Sequence, residues 1–75
     1  MTLKAYLKLK YQMILTPDSG YWIINFPELP GCVSQGKTIE KAIKMGLEAK
    51  EIWITETLNS NLEVPLPKNY AGEAL

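Results

Sequence analysis

Phe26-Pro27-Glu28-Leu29-Pro30-Gly31-Cys32-Val33-Ser34-Gln35-Gly36 is the stretch on which the reading of the fold turns. Pro27 and Pro30 bring no backbone donor and fix their own φ, so the chain around them cannot continue a β-ladder, while Gly31 admits conformations closed to other residues. The spacing predicts a rigid extended crossing or turn over 27–31. Cys32-Val33-Ser34-Gln35 then makes a short strand closed by Gly36.

Upstream, Tyr21-Trp22-Ile23-Ile24-Asn25-Phe26 is dense in aromatic and β-branched residues and predicts a strand. Trp22, Ile24 and Phe26 share one face of it. Thr16-Pro17-Asp18-Ser19-Gly20 supplies turn formers in a row, with Gly20 tolerating positive φ, so the chain should reverse there. Before the reversal, Leu3, Ala5, Leu7, Leu9, Tyr11, Met13 and Leu15 occupy the odd positions, with Lys4, Lys8, Lys10 and Gln12 between them. That period of two predicts one long amphipathic strand over 3–15, paired with 21–26 as a hairpin.

Downstream, Thr38 is a helix N-cap with Glu40 in the first turn, and the helix should run from Ile39 to about Leu58. Ile39, Ala42, Ile43, Gly46, Leu47, Trp53, Ile54 and Leu58 share one broad face at helical spacing, with Glu40, Lys41, Lys44, Glu48, Glu51 and Thr55 opposite. Met45, Ala49 and Ile52 widen the apolar arc beyond what one sheet contact needs, which predicts a second partner. Lys50 falls inside the arc, where it must either snorkel out along its stem or pair with an acid across an interface. Asn59-Ser60-Asn61 ends the helix. Leu62-Glu63-Val64-Pro65-Leu66-Pro67 alternates but holds two prolines, as an edge strand does. Residues 68–75 carry no readable pattern. The predicted class is α+β, in the order β-β-β-α-β, with one long helix on one face of an antiparallel sheet of three or four strands.

Composition narrows the function. In 75 residues there are eight lysines and eight acidic residues, no arginine and no histidine, so the net charge is zero. Such a chain lacks the footprint of a protein that grips phosphate backbones by itself. One cysteine forms no internal disulfide, and there is no apolar run of membrane length and no signal-peptide pattern, which predicts a cytoplasmic protein. Without histidine, neither a transition-metal site nor a histidine-based catalytic pair has material, and no cofactor is expected. A domain this short buries about 60–65% of its extended surface, so self-association is expected.

Gly20-Tyr21-Trp22, the Phe26–Gly36 string and Thr38-Ile39-Glu40-Lys41-Ala42 together resemble the signature of the HicB-like antitoxin family. Gly20, Trp22, Pro27, Leu29, Pro30, Gly31, Cys32 and Gly36 carry the motif, and the resemblance runs over about 11–67 of a single domain spanning 1–75. It implies a partial RNase H fold that neutralises a small RNA-cleaving toxin, HicA, by occlusion. Such a toxin is basic, so acidic residues should meet it, and Asp18, Glu28, Glu48 and Glu51 are the candidates. Typical members add a C-terminal DNA-binding domain. Only eight residues follow Pro67, so that domain and direct DNA binding are not expected here.

Each candidate has a plainer reading. Prolines and glycine in a tight crossing are first of all backbone devices, although Glu28 has no evident structural duty in the sequence. Cys32 has no base to activate it and reads as core. The carboxylates are scattered over a turn, a loop and a helix, which argues against two-metal catalysis and for a protein that is not an enzyme. Met45, Ala49, Ile52 and Trp53 are the expected contacts between subunits of a homodimer. The rival function is an orphan oligomeric module of the same fold, without a toxin, that serves a structural or regulatory role or holds a small ligand between subunits.

Overall fold

The computed structural model describes residues 1–68. Within them the order is α1 (Leu3–Leu7), β1 (Ile14–Asp18), β2 (Tyr21–Asn25), β3 (Val33–Gly36) and α2 (Ile39–Asn59). The three strands form one antiparallel sheet with β2 in the middle. The α+β class and the long helix stand as expected, and residues 69–75, left open by the sequence, lie outside the described residues.

The predicted strand over 3–15 is corrected. Its first part is the short helix α1, capped by Thr2, whose hydroxyl accepts from Ala5 N–H at 3.1 Å. Leucine, lysine and alanine all favour helix, and Leu3, Tyr6 and Leu7 also stand three and four residues apart, so the same apolar set serves a helical face. Tyr6 is buried and α1 packs on α2. Only from Ile14 does the chain join the sheet, and Thr16, Pro17 and Asp18 belong to β1 instead of to the turn.

Pairing of Asp18 with Tyr21 leaves Ser19 and Gly20 to make the reversal, at φ 52° and 86°. Positive φ at both central positions is the hairpin turn whose twist matches the strands, and it explains the glycine at 20. Leu15, Trp22 and Ile24 face α2, and Ile24 is fully buried beneath Gly46. A Cβ at 46 would lie 2.6 Å from Ile24 Cδ1, so the missing side chain sets how closely helix and sheet approach.

The 27–31 crossing is two consecutive β-turns. Leu29 N–H donates to Phe26 C=O and Cys32 N–H to Leu29 C=O, each at 2.9 Å, and Phe26 N–H donates to Cys32 C=O at 3.1 Å. Each proline takes the position after a turn's first residue, where its fixed φ is wanted, and Gly31 follows Pro30 at φ 82°. Leu29, between the turns, is fully buried with Phe26 and Cys32.

Thr38 caps α2 by accepting from Lys41 N–H at 3.1 Å. At the other end Asn61 sits at φ 58°, with Asn61 N–H donating to Leu58 C=O and Leu62 N–H to Thr57 C=O. That is a Schellman ending with asparagine in the left-handed place. The expected fourth strand is a second correction: residues 62–67 run beside the core without joining the sheet. Pro65 and Pro67 remove alternate donors, and the segment is fastened by side chains instead. Val64 and Pro67 are buried, and the Tyr11 hydroxyl donates to Pro65 C=O at 2.6 Å.

Candidate functional site

The four carboxylates expected to meet a partner stand in three separate places. Asp18 closes β1 at the far end of β2 from the 27–31 turns, where Ser19 Oγ donates to it at 3.2 Å. Glu28 sits in the first of those turns. Glu48 and Glu51 lie on the outer face of α2, where with Ile52, Thr55 and Glu56 they line a shallow groove of about 470 Å³. Glu56 follows Ile52 by one helical turn, a spacing that puts it on the same face in the sequence.

Glu28 has the structural duty that the sequence does not show. Gln12 N–H donates to its Oε1 at 2.8 Å and Lys68 N–H to its Oε2 at 2.6 Å. One carboxylate thus ties the chain before β1 to the chain after Pro67, with both bonds assisted by its charge. Glu28→Ala is expected to speed hydrogen exchange at the Gln12 and Lys68 amides by at least about tenfold, from the loss of two such bonds, while β2 amides keep their protection. Unchanged exchange at both amides would show the clamp to be idle.

The expected subunit contacts also divide. Met45 and Ile52 are exposed, at 44% and 58%. Ala49 and Trp53 are half-buried against the chain's own core, and Trp53 Nε1–H donates to Pro30 C=O at 2.9 Å. That bond pins the 27–31 turns to the C-terminal half of α2.

Lys50 does not snorkel, and among the described residues it meets no acid. It is 8% exposed, with Nζ 5.8 Å from the Phe26 ring centre and 5.9 Å from that of Tyr11. Burial lowers its pKa below 10.5, opposed in part by Cys32, and burial raises the Cys32 thiol above 9.0, opposed in part by Lys50. The aromatic faces supply the attraction that an acid would otherwise give. Cys32 itself is buried, so its place in the motif is a packing place. Among the described residues no three His, Cys, Asp or Glu side chains converge where a metal ion could sit, and no helix is long and apolar enough to cross a membrane.

A hairpin closed by Gly20, a double turn built on Pro27, Pro30 and Gly31, and a long helix seated on β3 at Gly36 define an α+β module with an acidic helix face. The chain belongs to the HicB-like antitoxin family: the model for the HicB_like antitoxin of bacterial toxin-antitoxin systems matches residues 11–73. Among its relatives, the UPF0150 protein of Thermoplasma acidophilum is 40% identical over 58 residues, 76% of this chain and 84% of that protein. Antitoxin HicB 1 of Photorhabdus laumondii is 32% identical over 60 residues, 79% of this chain but 39% of the antitoxin. The UPF0150 protein of Synechocystis is 26% identical over 58 residues, 76% of this chain and 80% of that protein. No solved structure matches the chain.

Proposed function

We propose that this chain is a cytoplasmic antitoxin domain, a single unit over 1–75, that binds a small HicA-type toxin ribonuclease and blocks it sterically without chemistry of its own. The family match supports an antitoxin role. The observation that carries the contact surface is the row of Glu48, Glu51 and Glu56 around Ile52 on the outside of α2. A ribonuclease must present cations to RNA phosphates, and carboxylates flanking an apolar residue offer those cations a substitute while excluding RNA. Asp18 stands apart and Glu28 is engaged within the chain, so the helix face is the stronger candidate.

The test is titration calorimetry of the purified protein with a small basic protein of the HicA type, taken from the adjoining reading frame where that frame encodes one. Nanomolar to micromolar binding is expected, and Glu48→Lys with Glu51→Lys should weaken it by roughly 10- to 100-fold, the range for reversing charges at an interface. Glu28→Lys is a poor probe, because it also unfastens two chain segments. Binding that ignores both helix substitutions would remove this surface. No binding by the wild-type chain would leave the orphan oligomeric module as the better reading.

A further inference from the structure

The charges on the outside of α2 run the wrong way for the helix itself. A helix favours acids near its N-terminus and bases near its C-terminus. After Glu40 in the first turn, the exposed Lys41 and Lys44 come first, Glu48 stands next to the midpoint, and the exposed Glu51 and Glu56 occupy the C-terminal half, with no base in the last turn. Within the helix, Lys44 before Glu48 is also the weaker order for a pair four residues apart. The helix dipole therefore does not account for this arrangement.

The outermost line of α2 is Lys41, Met45, Glu48, Ile52, Thr55 and Asn59, alternately four and three residues apart. That is the spacing of a seam between two helices. Met45 and Ile52 are its exposed apolar members. A basic partner matches only the glutamate end of this line and leaves Lys41 and Lys44 unmatched. A second copy of the same helix, laid antiparallel, meets opposite charge at both ends.

We propose that the outer face of α2 is a two-fold self-interface in which two copies pack their helices antiparallel about an axis near Glu48. Lys41 and Lys44 of each copy then face Glu51 and Glu56 of the other, and Met45 faces Ile52. The two Glu48 side chains meet near the axis, each one turn from its own Lys44. This inference stands on the chain alone and does not need the toxin. A toxin seated on Glu48 and Glu51 would displace the second copy.

Sedimentation equilibrium of the full chain, without toxin, tests it. The wild type is expected to dimerise, more weakly as salt rises. Lys41→Glu with Lys44→Glu should raise the dimer dissociation constant at least about tenfold, because four attractive pairs become repulsive. Adding Glu51→Lys and Glu56→Lys to the same chain restores zero net charge and favours the helix dipole, so folding is not at risk. This fourfold variant should dimerise with itself as the wild type does, yet form no mixed dimer with wild type. A monomeric wild type overturns the proposal, as does a lysine-reversed variant that dimerises unchanged. Free mixing of the fourfold variant with wild type overturns the antiparallel arrangement.

Discussion

Replacing Gly36 by alanine is expected to lower stability by about 2–4 kcal/mol, at the upper end of what overpacking costs. A Cβ at 36 would lie 2.5 Å from Ala42 N, 2.7 Å from Lys41 C and 2.9 Å from Ala42 Cα. All three are backbone atoms of the first turns of α2, so no rotamer change relieves the contact and the helix must lift from β3. That movement pulls on Ala42, which is fully buried, and on the Thr38 cap that starts the helix. Gly46 is a useful contrast, because the atoms a new Cβ would meet there belong to the Ile24 side chain. For a chain of this size the total stability is roughly 4–11 kcal/mol, so the loss at Gly36 is a large share of it. Thermal unfolding followed by circular dichroism should show Tm falling by about 10–25 °C. A Tm within about 3 °C of wild type, less than 1 kcal/mol is worth in so small a domain, would mean that helix and sheet are not in contact there.

The parts of this fold written in local chemistry are legible in the sequence. Thr38 and Asn61 mark the ends of α2, Gly20 marks the hairpin reversal although Thr16, Pro17 and Asp18 read as part of it, and Pro27, Pro30 and Gly31 mark the break in the ladder that the hydrogen bonds of Phe26, Leu29 and Cys32 make into two turns. The N-terminal segment is not decided locally. Its leucines satisfy a period of two and a period of 3.5 alike, and packing of Tyr6 and its neighbours on α2 settles the matter for helix. The segment after α2 shows its prolines plainly, but the anchors that replace a ladder are Tyr11 and Glu28, 54 and 40 residues away from the groups they bind. No window along the chain contains that information. For the same reason Glu28 reads as an idle surface acid until Gln12 and Lys68 are placed beside it. Of the helix face, Glu48, Glu51, Met45 and Ile52 follow from helical spacing. The inward turn of Trp53 depends on where the double turn puts Pro30 C=O.

Replacing Lys50 by methionine is expected to raise stability by roughly 1–3 kcal/mol near pH 7, since a buried ammonium with no anionic partner among the described residues is exchanged for an apolar chain of similar length. The faces of Tyr11 and Phe26 offset part of the cost of burying the charge, which sets the lower end of that range. Dependence on pH separates this account from a simple packing effect. Burial holds the folded-state pKa of Lys50 below the 10.5 of the unfolded chain, so between those two values the unfolded chain carries a proton that the folded chain has released. Stability of the wild type therefore rises with pH through that window, and the penalty is fully present below it. The advantage of methionine should be greatest at neutral pH and vanish by about pH 10.5. Two neighbours work in the opposite sense. Burial raises the Cys32 thiol above 9.0, and burial, Tyr6 and Glu28 push the Tyr11 phenol up to about 12. For both, the unfolded chain loses its proton first, so stability falls as pH rises above 9.0 and again above 10.0. These losses belong to both proteins and largely cancel in the difference, although the variant's thiol loses the cation that holds its pKa down. Urea unfolding of the two proteins from neutral pH to about 10.5 should show a converging pair of curves. Parallel curves would mean that Lys50 is not penalised for its charge, and a less stable methionine variant would mean that the two rings more than repay its burial.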